Sequence, residues 1–218
     1  MIEAIIFDLD GVLVTTDHLH YKAWKRLADE LGAFGFSKED NLRQRGVSRM
    51  DSLEVVLEKA PRIYSEADKI KLAALKNEYY VASLVSIGKG ALLPGAIESL
   101  EYLRKTGLKI ALGSASKNAQ LILEKTGITS YFDALATGHD TTRSKPDPEV
   151  FLIAADKLGV SPELCVVVED ADAGVLAAKG AGMRVLGVGP AANHEVTNWS
   201  GENLADPTIN WEEIIRSI

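Results

Sequence analysis

The stretch Ile5-Ile6-Phe7-Asp8-Leu9-Asp10-Gly11-Val12 decides how this chain is read. Ala4–Phe7 is apolar throughout, and so short a run near the terminus reads as a buried strand rather than a helix. A carboxylate is costly to bury unpaired. Asp8 and Asp10 at the end of such a strand therefore suggest a site where a cation offsets their charge. In open α/β sheets the carboxyl ends of the strands are where ligands bind. Gly11 follows, where the chain must turn sharply or admit a ligand to the backbone. A solvated turn explains an isolated Asp-x-Asp equally well, so the rest of the chain has to decide.

Working outward, helical spacing of Leu19, Ala23, Trp24, Leu27 and Leu31 runs up to Gly32. Residues 17–86 hold no convincing strand; Ser48-Arg49-Met50-Asp51 has a capping-box pattern, and 66–83 is again helical. Beyond Pro94-Gly95 the pattern changes. A helix with Ile97, Leu100 and Leu103 ending at Gly107, and helices over about 118–125, 148–158 and 173–181, alternate with strands at Lys109–Gly113, Ala134–Ala136, 164–168 and 185–188. Strands that are apolar throughout and separated by helices imply a parallel sheet covered on both faces. The expected fold is α/β, Rossmann-like, with a small helical unit inserted after the first strand. Residues 189–201 read as an exposed loop, and Gly187-Val188-Gly189 is no dinucleotide fingerprint.

Composition bounds the function. With 218 residues, 46% hydrophobic and 25% charged, the chain is ordinary for a soluble globular protein with a real core. A net charge of −7 argues against nucleic acid or an anionic membrane as partner, though not against a small phosphorylated molecule. Cys165 in an apolar run is an inert core thiol, with no disulfide to form. Without a basic or apolar leader or a membrane-length span, a cytoplasmic location is expected.

Three more motifs fall at strand ends. Ser114-Ala115-Ser116-Lys117-Asn118 offers hydroxyls and N–H groups at a helix start, an anion cradle or an ordinary N-cap. Lys145 before Pro146 is held out of helix geometry and either points at a phosphoryl group or is solvated in a turn. Glu169-Asp170 is an acidic pair ending an apolar strand. Together they make one site for phosphoryl transfer. Asp8 and Asp170 are expected to share a Mg²⁺, which prefers oxygen ligands. Lys145 and Ser114 neutralise phosphoryl oxygens, one aspartate attacks phosphorus and another moves the proton.

These four motifs resemble those of the haloacid dehalogenase superfamily over essentially the whole chain. The resemblance implies a core of residues 1–16 and 87–218 with a helical cap domain at 17–86. It also implies Asp8 as nucleophile, Asp10 as general acid/base, and Mg²⁺ held by Asp8, the Asp10 backbone carbonyl, Glu169 and Asp170. Within the superfamily, Thr16, His20, Arg45 to Leu53, Lys76-Asn77 and the full Ser114 to Asn118 string are similar to the β-phosphoglucomutase family. That likeness implies interconversion of β-D-glucose 1-phosphate and glucose 6-phosphate through an aspartyl phosphate, with β-glucose 1,6-bisphosphate as activating donor. Substrate contacts would come from Leu9, Thr16, His20, Gly46, Arg49, Ser52, Lys76, Ser114, Ala115, Ser116, Lys117, Asn118 and Lys145, in a monomer. Thr15, Val14, Met50 and Arg45 depart from the family's usual residues at the hinge and in the cap. The runner-up is a cap-bearing phosphatase of small phosphosugars or phosphoglycolate-like substrates. A phospho-acceptor signalling domain would place its acidic pair before the acceptor aspartate, the reverse of the order here.

Overall fold

The structure is a computed structural model that describes residues 1–44 and 47–217. The elements in chain order are β1 (Ala4–Phe7), α1 (Asp17–Glu30), α2 (Lys38–Leu42), α3 (Arg49–Leu57) and α4 (Glu66–Ser83). Then come α5 (Ala96–Thr106), β2 (Lys109–Gly113), α6 (Ala119–Thr126), β3 (Ala134–Ala136), α7 (Glu149–Leu158) and β4 (Cys165–Glu169). The chain ends with α8 (Asp172–Gly180), β5 (Arg184–Val188), β6 (Trp199–Gly201) and α9 (Trp211–Arg216).

The six strands form one sheet in the order β3-β2-β1-β4-β5-β6, every pair parallel. β1 lies between β2 and β4, with Phe7 opposite both Leu112 and Val168. Side chains alternate across a strand. Ile5 and Phe7 accordingly enter the core cluster with Leu100, Leu103 and Ile122, while Ala4 and Ile6 enter the one with Phe151, Ala154 and Val175. Both faces of β1 are thus buried, which is why it carries no polar residue. The register sets the ends of β1, β2 and β4 side by side, so Asp8, Ser114 and Asp170 all follow strand ends on one edge of the sheet.

Helices α1–α4 lie between β1 and α5 and hold a hydrophobic cluster of their own, built on Trp24, Leu27, Phe36, Leu53 and Val56. Ser48 caps α3 by accepting from the Asp51 N–H at 3.2 Å. The reciprocal capping box belongs instead to Ser37 and Asp40 on α2. Cys165 is buried, and burial pushes its thiol up to about 12, as expected of an inert residue. Among the described residues no helix is long and apolar enough to cross a membrane.

One expectation fails. Residues 189–201 are not a plain loop: a short 3₁₀ turn over Gly189–Asn193 leads to β6, which adds an edge to the sheet. Asn198 takes the place of a strand residue just before it, accepting from the Val185 N–H at 2.9 Å and donating its own N–H to the Val185 carbonyl at 2.8 Å. Three residues reading Trp-Ser-Gly have too few positions to show a period.

Candidate active site

Asp8 leaves β1 with its N–H bonded to the Val168 carbonyl at 3.0 Å, which locks the start of the turn to the neighbouring strand. Lys145 reaches the same place from the loop before α7. Its Nζ lies 2.6 Å from Asp8 Oδ1 and 2.5 Å from Glu169 Oε1, in a fully buried ion triad. Burial opposes the lysine charge, but Asp8 and Glu169 outweigh it and hold Lys145 above the ordinary lysine value. For Asp8 burial wins over the pull of Lys145, and its carboxyl is raised to about 7. Glu169 Oε2 accepts from the N–H groups of Asp170 and Ala171 at 2.8 and 2.9 Å, so both its oxygens are engaged.

Two glycines make this packing possible. Gly11 has φ +87°, and a side chain there would fall on the Asp170 carboxylate. At Gly174, in the first turn of α8, a β-carbon would strike the Glu169 carboxylate. Asp8, Glu169 and Asp170 each present an oxygen within 4.8 Å of the others. Three buried carboxylates facing one lysine leave excess negative charge in a low-dielectric setting. An all-oxygen set with that excess fits Mg²⁺.

Asp10 belongs to a second cluster. Its Oδ1 accepts the Thr16 N–H at 2.9 Å and also the Thr16 hydroxyl, and its Oδ2 lies 4.0 Å from His20 Nε2. Burial raises the Asp10 carboxyl, partly offset by the Thr16 bonds. Thr16 is buried at the N-terminus of α1, with its hydroxyl 2.9 Å from the Tyr80 hydroxyl on α4. His20, one turn on, stacks on the Tyr80 ring at 3.9 Å and meets Lys76 Nζ through Nδ1 at 2.8 Å. Lys76 also sits over the rings of Trp24 and Tyr80, at 4.4 and 4.9 Å. Burial, reinforced by the charge of Arg49, lowers Lys76 to about 7. Burial and the charges of Lys76 and Arg49 hold His20 well below its usual value. His20 is therefore neutral, and Lys76 donating to Nδ1 puts its ring proton on Nε2, toward Asp10. Arg49 opens α3 half-buried, close enough to act on both.

The strand β2 delivers the serine-rich turn. Ser114 is buried and accepts the Ser116 N–H at 3.2 Å, and Ser116 accepts the Asn118 N–H at 3.2 Å. The expected anion cradle thus has two of its N–H groups turned onto its own hydroxyls. Ala115, Ser116 and Asn118 are half-buried, while Lys117 is exposed. Asn118 donates from Nδ2 to Asn77 Oδ1 on α4 at 2.8 Å, and Ser144 Oγ donates to Asp51 Oδ2 on α3 at 2.6 Å. These two bonds tie the helical insertion to loops at the sheet edge.

The structure therefore brings Asp8, Lys145, Glu169 and Asp170 together, and separately Asp10, Thr16, His20 and Lys76. Leu9 is buried with its carbonyl accepting from Leu13 and Val14; Ser52 is buried in α3 with its carbonyl accepting from Gln44. Gly46, with Arg45, lies outside the described residues. Sequence reading missed Tyr80. Its signal was the spacing of Lys76 and Tyr80, one turn apart on α4, matching Thr16 and His20, one turn apart at the start of α1.

A parallel sheet gathering a buried lysine and three carboxylates at its strand ends, with a helical insertion after the first strand, defines the class. The chain belongs to the haloacid dehalogenase-like hydrolase family, whose sequence model matches residues 2–182. It is 40% identical to a β-phosphoglucomutase of Bacillus subtilis over 86% of this chain and 83% of that protein. It is 33% identical to a phosphorylated carbohydrates phosphatase of Thermotoga maritima, over 85% of each. The crystal structure of a β-phosphoglucomutase from Clostridium difficile superposes with a TM-score of 0.91 at 38% identity, covering 98% of this chain and 96% of that one.

Proposed function

We propose that this chain is a phosphomutase interconverting β-D-glucose 1-phosphate and glucose 6-phosphate. The observation that carries the reading is the second set of cations. Lys76 and Arg49 come from the helical insertion and both act on His20 beside Asp10, on top of the Lys145 that serves Asp8. A phosphatase needs to hold one phosphate, whereas a mutase holds a second while the first is transferred. The likeness to β-phosphoglucomutases over most of the chain supports the same reading.

In this scheme residues 17–86 form a cap over a core of 1–16 and 87–218, supported by the separate hydrophobic cluster of the helical insertion. Asp8 attacks phosphorus through a carboxylate oxygen, and the bond from phosphorus to the departing oxygen breaks. Asp10 gives that oxygen a proton, and in the return step takes one from the attacking hydroxyl. The sugar bisphosphate then reorients and returns its other phosphate to Asp8, so β-glucose 1,6-bisphosphate primes the cycle. Asp8, Glu169, Asp170 and the Asp10 carbonyl would hold Mg²⁺, which would supply charge neutralisation at phosphorus. Glu169 also orients Lys145 and the Asp170 turn. Lys145 and Ser114 neutralise the equatorial oxygens, where most catalysis of phosphoryl transfer is exerted. Arg49, Ser116, Lys117 and Asn118 grip the distal phosphate, with the half-buried Ala115 beside them. Every group in the scheme comes from one chain.

The test is a phosphorus NMR time course with β-glucose 1-phosphate, Mg²⁺ and a trace of the bisphosphate. Glucose 6-phosphate accumulating without inorganic phosphate is the expected result. Inorganic phosphate as the main product would replace the mutase with a sugar phosphatase, the activity printed for the Thermotoga relative.

A further inference from the structure

The loop between β3 and α7 packs on the serine-rich turn and has no part in the chemistry above. Thr137 to Asp140 form a tight turn there. The Asp140 carboxylate accepts the Thr137 N–H and hydroxyl at 2.8 and 3.0 Å, and Lys157 on α7 holds its other oxygen at 2.6 Å. Gly138 lies flush against the serine-rich turn, where a β-carbon would fall 2.2 Å from the Ala115 carbonyl oxygen. Its N–H donates to the Ser116 carbonyl at 3.3 Å, and the exposed His139 ring meets the Lys117 carbonyl through Nε2 at 3.0 Å. A carbonyl only accepts, so His139 Nε2 is the donor. In a planar trans peptide the N–H points away from the C=O. Holding the Lys117 carbonyl therefore turns the Asn118 N–H away from His139 and onto Ser116 Oγ, which accepts it at 3.2 Å. Ser116 Oγ, having accepted, still has its own proton to donate.

We propose that His139 is a positioning residue for the distal phosphate: its hydrogen bond to the Lys117 carbonyl fixes the Lys117–Asn118 peptide, and through it the direction in which Ser116 offers its hydroxyl proton. The proposal rests on the reading of Ser116, Lys117 and Asn118 as the distal-phosphate grip. It deepens that reading by naming what keeps the grip in shape before a phosphate arrives. His139 acts through the backbone of the turn rather than on the phosphate. Donors already in place spare the cost of ordering them on binding, so the effect falls on affinity for the sugar phosphate rather than on transfer at Asp8.

The experiment compares wild type, His139→Ala, His139→Gln and Gly138→Ala, all full length. His139→Ala removes the donor from an exposed loop, and His139→Gln puts an amide N–H in the place of the ring N–H. One assay follows the mutase reaction of β-glucose 1-phosphate, primed with the bisphosphate. The other follows hydrolysis of acetyl phosphate, which carries no second phosphate to grip. Loss of one neutral hydrogen bond predicts a KM for β-glucose 1-phosphate raised by about three- to tenfold in His139→Ala, with kcat within about twofold. Acetyl phosphate hydrolysis should lose at least about threefold less than kcat/KM for the sugar phosphate does. His139→Gln should bring KM back to within about twofold of wild type. Gly138→Ala, whose new methyl must push the Ala115 carbonyl aside, should raise KM at least as far as His139→Ala. A wild-type KM in His139→Ala, a loss in kcat alone, equal losses with both substrates, or a His139→Gln variant no better than His139→Ala would each overturn the proposal. If the wild type itself releases inorganic phosphate instead of forming glucose 6-phosphate, the mutase reading is what fails, and the proposal goes with it.

Discussion

Replacing Lys76 by Met is expected to make the protein more stable and less active. Lys76 is 2% exposed and its amine is lowered from 10.5 to about 7, so burying its charged form costs about 5 kcal/mol at low pH. The Trp24 and Tyr80 rings return about 1–2 kcal/mol of this through cation–π contact. Losing the bond to His20 Nδ1 costs the variant about 1 kcal/mol. Lys76→Met should therefore gain about 2–3 kcal/mol at pH 6, as volume-matched apolar replacements of buried charges often do. The pH dependence has a definite sign. Between about 7 and 10.5 the unfolded lysine keeps a proton that the folded one has lost, so wild-type stability rises with pH in that window and the variant's does not. The gain should be largest below pH 7 and gone by about pH 9.5. Urea unfolding of both proteins at the two ends of that range measures it. A variant no more stable at pH 6, or a gain that persists at pH 9.5, would refute the argument that Lys76 is stored as a destabilised cation. The counterpart is functional: a dianion arriving beside Lys76 restores its proton. Calorimetry of phosphate binding at pH 8 in buffers of different ionisation enthalpy should show proton uptake in wild type and none in Lys76→Met.

Arg49→Ala should lower mutase kcat/KM by about 10–150-fold, the loss of charge-assisted hydrogen bonds to a phosphate, and steady-state kinetics on β-glucose 1-phosphate checks it. Unaltered kcat/KM would remove Arg49 from the distal site. Asp8→Asn should abolish turnover while the unfolding midpoint holds, since the amide keeps the shape and no longer buries a charge; detectable phosphoenzyme in that variant would rule out Asp8 as the acceptor. Mg²⁺ should bind wild type more tightly at pH 8 than at pH 6, because the Asp8 carboxyl, raised to about 7, must lose its proton to serve as a ligand. Titration calorimetry showing equal affinity at the two pH values would contradict that assignment.

The parts of the fold that sequence reading recovers to the residue are those with sharp punctuation. β1 ends at the first charge, and β2 runs from Lys109 to Gly113. Likewise α4 begins one residue after the capping Ser65. The site's core was legible for a topological reason: in a parallel sheet every strand end falls on the same edge, so polar residues after apolar runs converge without any knowledge of the loops. β6 was not legible, because its pairing is decided by the Asn198 side chain and by Gly201 packing rather than by a period. Tyr80 escaped because an aromatic on a helix face reads as core, and only its hydroxyl's partner shows otherwise. Glu169 reads in sequence as a ligand equal to Asp170, and the structure adds that it also accepts from Lys145 and two backbone N–H groups. Nothing in its neighbours along the chain distinguishes the two.

The central place of β1 has a consequence for how the chain is made. Ala4–Phe7 leaves the ribosome before its partners, β2 and β4, which are more than a hundred residues downstream. At about 5–20 residues per second, that leaves this apolar strand unpaired for roughly 5–20 seconds before β2 is made. The helices of the insertion close among near neighbours, with low loop entropy, and can condense on Trp24 and Leu53 before β2 exists. The strand that carries Asp8 then slots between β2 and β4 only once both are available. Chaperones and aggregation would act on this interval, and a mutation that slows the docking of β4 would lower the yield of enzyme without touching any residue of its chemistry.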